Sequence, residues 1–255
     1  MKSRLFAAAS ISALLVGVAA CATAPVVDVA PDARAAPVEA AAAAPIVVPP
    51  LGFRERTLPN GLKVYTARDA ATSNVTVQVR YKDGAKDDPE GRSGFAHMFE
   101  HLMFKATRNL PQEAFDRLTE DVGGSNNAST GLDVTNYFET VPAQHLERML
   151  FAEAERMGSL VVDEASFESE RDVVKEEFRL RVLAPPYGRF QRLHSQAFIY
   201  QTSPYRRPGI GSITDLDAAT MDDVLRFHET FYRPDNAYLI VAASRSVIEP
   251  MPGRR

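Results

Sequence analysis

Ser93-Gly94-Phe95-Ala96-His97-Met98-Phe99-Glu100-His101-Leu102-Met103 is the stretch on which the reading of this chain turns. Ser93 can cap a helix, and Phe95, Phe99, Leu102 and Met103 recur at the spacing that turns one side of that helix toward a core. At about 100° per residue, His97 and His101 stand roughly 40° apart, one turn from each other, so both imidazoles reach one ion. Glu100 lies about 60° from His97 on the same side. It is placed to reach a water beside that ion without being a ligand, as metal-assisted hydrolysis requires. The alternative is two histidines and a glutamate on a solvated helix face. It sits poorly with the apolar neighbours, because three ionisable groups on a largely buried helix need a partner.

Two histidines leave a catalytic zinc site one protein ligand short. Candidates lie within residues 167–182, where Glu170 and Glu177 are two helical turns apart and share a face within about 20°. Val174 falls between them on that face and Phe178 beside it, which turns both carboxylates inward. An inward glutamate pair on an apolar face is unfavourable unless it meets cations, and a zinc ion held by two imidazoles would be one. On this reading Glu177 is the third ligand and Glu170 orients a ligand histidine, while Glu176, about 100° round, looks elsewhere. An ordinary acidic helix is the competing interpretation.

The surrounding pattern fixes the fold class. Asn60-Gly61 between residues 54–58 and 62–66 predicts a hairpin, and Val75, Val77, Val79 and Tyr81 alternate as a strand buried on one face. Pro111 opens a second helix that Gly123-Gly124 ends. Residues 135–141 predict a strand, and Leu146, Met149, Leu150, Ala154 and Met157 a helix, as do Phe167, Val174 and Phe178. A last helix runs over residues 221–231, followed by a central strand over 238–242. Strands and helices mix without regular alternation, which predicts α+β: one domain over residues 51–243, a mixed or antiparallel sheet with helices on one face.

With 45% apolar and 24% charged residues, the composition is that of a globular protein, and 29 basic against 33 acidic side chains give a charge of -4 that excludes a nucleic-acid-binding surface of the usual basic kind. One cysteine permits neither an intrachain disulfide nor a multi-cysteine zinc site, so a metal must be held by His and carboxylate. Residues 1–20 read as a secretory signal, with Lys2 and Arg4 ahead of a short apolar run. Val18-Ala19-Ala20-Cys21 resembles a lipobox, which makes Cys21 the lipidated first residue of an exported protein anchored at the outer membrane of the cell envelope; a soluble export signal cleaved nearby is the other reading. Residues 21–50 are an Ala/Pro-rich tether. His145, His194 and His228 are expected to be structural or exposed.

HMFEH at 97–101, with Glu177 following inside Glu170-Arg171-Asp172-Val173-Val174-Lys175-Glu176-Glu177, resembles the insulinase and pitrilysin family of zinc peptidases, which includes the mitochondrial processing peptidases. Residues 123–130 with 133–137 are similar to the family's segment that lines the active site and pairs with substrate as an added strand. Tyr232-Arg233-Pro234-Asp235-Asn236 resembles its signature near the end of the first structural unit. The resemblance implies one zinc ion on His97, His101 and Glu177, with Glu100 as general base, Glu170 supporting the site, and Asn127 and Ala128 touching substrate. It implies a metalloendopeptidase acting on extended or unfolded peptides.

Family members also carry a second, related half that closes over the first. Residues 244–255 have neither helical nor strand period, which reads as a truncated product or as a subunit whose homologous partner supplies the other half. A catalytically incomplete binding or scaffold lipoprotein is the alternative function. A lyase such as S-ribosylhomocysteine lyase shares HxxEH but takes a cysteine as third ligand, and the only cysteine here is Cys21.

Overall fold

The computed structural model describes residues 52–244; the signal and tether, Cys21 and the tail beyond Ser244 lie outside the described residues. In chain order the elements are β1 (Phe53–Thr57), β2 (Lys63–Arg68), β3 (Asn74–Tyr81), α1 (Phe95–Leu102), α2 (Ala114–Glu120), β4 (Ser125–Thr130), β5 (Thr135–Pro142), α3 (Leu146–Gly158), α4 (Glu164–Phe178), α5 (Ser195–Ile199), α6 (Ile213–Ala218), α7 (Met221–Phe231) and β6 (Ala237–Ala243). The strands form one six-stranded mixed sheet in the order β1-β2-β6-β3-β5-β4. The fold is α+β, as the mixture of periods predicts.

The β1–β2 hairpin turns at Asn60-Gly61, where Gly61 adopts φ +87° and a Cβ would sit 2.8 Å from that of Asp235. Only glycine meets both demands. From β2 the chain pairs in parallel with β6, and β6 pairs antiparallel with β3. Along β3, Val75, Val77, Val79 and Tyr81 are buried while the residues between them are not, so one face of the sheet carries the core. β5 repeats this with Thr135, Tyr137, Glu139 and Val141.

Helix α1 lies in that core. Phe95, Ala96, Met98, Phe99 and Leu102 are buried, the Phe99 ring lying tilted with its centroid 4.4 Å from that of Tyr232 and 5.4 Å from that of Phe227 in α7. Ser93 does not cap α1. The N-cap is Gly94, left-handed at φ +86°, and the buried Asp88 carboxylate accepts from the N–H of Gly94 (2.7 Å) and of Ala96 (2.8 Å). Ser93 instead donates its hydroxyl to Asp215 of α6. The reason is a close backbone crossing: a Cβ on Gly94 would lie 2.6 Å from the Ile210 carbonyl oxygen, and Gly211 opposes it at φ +81°. Two facing glycines lock the loop before α6 against the start of α1.

Beneath α2 and α3 a buried charge cluster replaces part of the apolar core. The Arg156 guanidinium lies 4.0 Å over Phe115 and 4.5 Å over Tyr137 and pairs with Glu153, with the Glu139 carboxyl of β5 alongside. Burial and then the Glu153 charge push the Glu139 carboxyl up to about 10, so it is neutral at physiological pH.

Candidate metal centre

Three elements deliver the site. Helix α1 presents His97, Glu100 and His101; α4 runs beside it and presents Glu170 and Glu177; the edge strand β4 forms the floor. α4 takes its register from Asp163, whose carboxylate accepts from the Ser166 N–H at 2.8 Å, and from Phe167, Val174 and Phe178, which bury one face. That face carries Glu170 with it, buried, and sets Glu177 at its margin. The predicted inward pair of carboxylates is therefore present.

His97 Nε2 lies 3.6 Å and His101 Nε2 3.5 Å from Glu177 Oε2. One donor atom from each of the three residues falls within 4.8 Å of the others. These separations are long for hydrogen bonds but close to the edge, about 3.3 Å, of a tetrahedron whose ligands stand about 2.0–2.1 Å from a central zinc ion. Burial lowers the His97 imidazole to about 4, which leaves it neutral, as a ligand must be. His101 goes the other way: burial opposes its protonation, but Glu170 and Glu177 outweigh it and raise the imidazole to about 9. Two carboxylates thus draw a positive charge to the point where the three donors meet. The donor set and its electrostatics fit a divalent cation.

Glu170 accepts at His101 Nδ1 (3.3 Å) and is also paired with Lys105. A carboxylate on the outer nitrogen fixes the ring and its tautomer, leaving Nε2 directed inward. Glu177 is held on its other oxygen by Arg181, 2.9 Å from Oε1. Glu100 stands beside the three donors, and its carboxylate accepts the hydroxyl of Thr130 from β4. Burial raises the Glu100 pKa, with the Thr130 bond working against it.

Asn127 and Ala128 lie on β4, the last strand of the sheet, and line the same cleft of about 470 Å³. All seven expected residues of the described region therefore surround one space: His97, Glu100, His101, Asn127, Ala128, Glu170 and Glu177. The other histidines do not join them. His228 stacks on Tyr232 and Phe99 in the core. Sequence reasoning placed Thr130 in the lining segment without giving it a role, and missed Lys105 and Arg181. Lys105 and Arg181 each follow a site residue by four positions, a spacing that places them on the same helical face and that signals them in retrospect.

Two imidazoles and a carboxylate converging beside a half-buried glutamate, with a cleft on the remaining side, is an arrangement of metal-dependent hydrolases. Comparison with known proteins narrows the class. The sequence profile of Insulinase (Peptidase family M16) matches residues 63–208, and the chain belongs to that family. It is 40% identical over 187 residues to the zinc protease PqqE of Helicobacter pylori, covering 72% of this chain and 42% of that protein. It is 28% identical over 194 residues to a probable mitochondrial-processing peptidase subunit beta of Arabidopsis thaliana, covering 76% of this chain and 36% of the relative. The crystal structure of a protease from Helicobacter pylori superimposes with a TM-score of 0.73 at 38% identity, over 77% of this chain and 47% of that one. The chain thus spans less than half the length of these relatives.

Proposed function

We propose that this chain is the zinc-bearing half of a metalloendopeptidase that hydrolyses extended or unfolded peptides. The observation that carries the reading is the convergence of His97, His101 and Glu177 donors next to Glu100, in a cleft floored by a sheet edge. When bound, one zinc ion supplies Lewis acidity, making a water acidic enough to attack near neutral pH and polarising a carbonyl. His97, His101 and Glu177 hold it. Glu170 keeps the His101 ring oriented through Nδ1, and Lys105 keeps Glu170 ionised.

Glu100 moves the proton. Its carboxylate is not one of the three converging donors, and its raised pKa makes it a better base than an exposed glutamate. It takes the proton of the attacking water and returns it to the leaving amine. Thr130 holds the carboxylate in place during both transfers. An extended substrate adds to the outer edge of β4 by backbone hydrogen bonds. At present the Ala128 N–H donates to the Asn127 side-chain carbonyl at 2.8 Å, a bond that a substrate carbonyl can take over.

Because the relatives are more than twice as long as the matched region, a homologous second half closing over this one, whether in the same polypeptide or in a partner subunit, belongs to this proposal. So does an envelope location through the export signal and Cys21, which metabolic lipid labelling of Cys21→Ala against wild type tests. The central experiment is cleavage of a mixed peptide pool by the full chain, with zinc content measured, against Glu100→Gln. Loss of about 10²–10⁴-fold in rate with zinc retained is expected. Cleavage that survives Glu100→Gln or a chelator would refute the reading.

A further inference from the structure

A second cleft of about 470 Å³ adjoins the metal site, shares His97, Thr130, Glu177 and Arg181 with it, and continues past Leu132 to Arg192. Its charge is one-sided. Among the described residues the only carboxylate on its wall is Glu177, whose Oε2 faces the two imidazoles and whose Oε1 is taken by Arg181 at 2.9 Å. Arg181 remains 65% exposed at its side chain, and Arg192 is exposed and makes no ion pair with any described residue. The first cleft shares Arg181 and adds Lys105, and each of these is ion-paired with a site glutamate, Arg181 with Glu177 and Lys105 with Glu170, so Arg192 is what sets the second cleft apart.

The backbone that carries the two arginines is unusual. Arg181 sits in a π-helical turn, Arg179–Leu183, that continues α4 directly after Phe178, and Arg192 sits in a second, Phe190–His194, that leads into α5. Between them Tyr187 is forced to φ +62°, and a Cβ on Gly188 would lie 2.5 Å from the Val182 carbonyl oxygen. Such turns cluster at functional sites because they redirect a side chain that an unbroken helix would aim elsewhere. Here both arginines line the same cleft.

The cleft opens where β4 ends, at Thr130. A peptide lying along β4 would pass Glu100 and run into this cleft a residue or two later, at about 3.3 Å per residue. We propose that the Arg181/Arg192 cleft is a specificity pocket for an acidic substrate side chain, Asp or Glu, at one fixed position relative to the bond cut. This rests on the peptidase reading above and names the substrate class it favours. Planar guanidinium groups bind carboxylates through paired, charge-assisted hydrogen bonds, which distinguishes Glu from Gln of the same shape.

Binding tests this independently of turnover. The full chain carrying Glu100→Gln, loaded with zinc and with its zinc content measured, is titrated by fluorescence anisotropy against labelled neutral decapeptides in which Glu, Gln or Lys is walked through every position. At one position, or two adjacent ones, Glu is expected to bind about tenfold more tightly than Gln, with Lys weakest. Adding Arg192→Glu, an exposed substitution whose fold is checked by circular dichroism, should reverse the order of Glu and Lys at that position alone. Peptides that bind with no Glu-over-Gln difference, or with the same gain at every position, overturn the acidic pocket and leave the peptidase reading standing. No binding of any peptide overturns both.

Discussion

Replacing Glu139 by glutamine should stabilise this protein, and should do so only at neutral and alkaline pH. The Glu139 side chain is fully buried on β5 beside Glu153 and Arg156, so two carboxyls share one cation. Arg156 pairs with Glu153 through Nε and Nη2, and the second carboxyl stays protonated, with its pKa raised from 4.5 to about 10. A carboxyl whose folded pKa is raised contributes its full stability below the unfolded value and loses it as pH rises toward the folded one. Folding at pH 7 therefore takes up a proton against a gap of about 2.5 pH units, at about 1.4 kcal/mol each, or about 3 kcal/mol in all. Glu139→Gln keeps the shape and needs no proton. Urea unfolding followed by far-UV circular dichroism, the chain having no tryptophan, should show a gain near zero at pH 4.5 rising to about 3 kcal/mol at pH 7. A gain that does not change with pH, or a loss at pH 7, would show that Glu139 is ionised and serves Arg156 as a counter-charge.

The other expectations concern the site and its support. Glu170→Gln removes the charge on His101 Nδ1 and should weaken zinc binding by about 10–100-fold in competition with a chelator. Thr130→Val removes a donor that lowers the Glu100 pKa, so the acid limb of the rate profile should move to higher pH; an unmoved limb would separate Thr130 from the proton transfer. Phe99→Ala opens the core under α1 between Phe227 and Tyr232 and should cost about 3–5 kcal/mol of unfolding free energy in thermal or urea melts.

What could be read in advance follows from how local each signal is. The hairpin at Asn60-Gly61 and helix α7 were legible because their turn and periodicity lie within a few residues, and α7 begins at a Thr220–Asp223 capping box. The histidine pair and Glu100 were legible because a single helix carries them. Glu177 and Glu170 were legible because the face they share is marked by Val174 and Phe178. The placement of β6 between β2 and β3 was not, since nothing local records a parallel pairing with a strand about 170 residues earlier. β4 was legible only by resemblance: Ser-Asn-Asn-Ala-Ser-Thr has none of the β-branched and aromatic residues that mark strands, apart from its final Thr130. The start of α1 was misread because Ser93 is a good cap in isolation, and the Gly94–Gly211 crossing that displaces it joins segments far apart in sequence.

The composition that hides β4 also suits it to bind a peptide. As the last strand of the sheet it leaves one row of backbone groups without a neighbouring strand among the described residues, and an apolar edge of that kind would recruit other chains indiscriminately. Polar side chains alternate along it between exposed and half-buried positions, so it offers hydrogen bonds with little apolar surface. Affinity for an extended peptide must then come from elsewhere in the cleft. The built candidates are the donor set on α1 and α4 at one point along the strand and the arginine pair past its end. A peptide that satisfies only the edge gains sequence-independent bonds and should bind weakly. One that also places a carbonyl at the metal and a carboxylate at Arg192 is held at three points, which fixes its register on a strand that by itself would allow sliding.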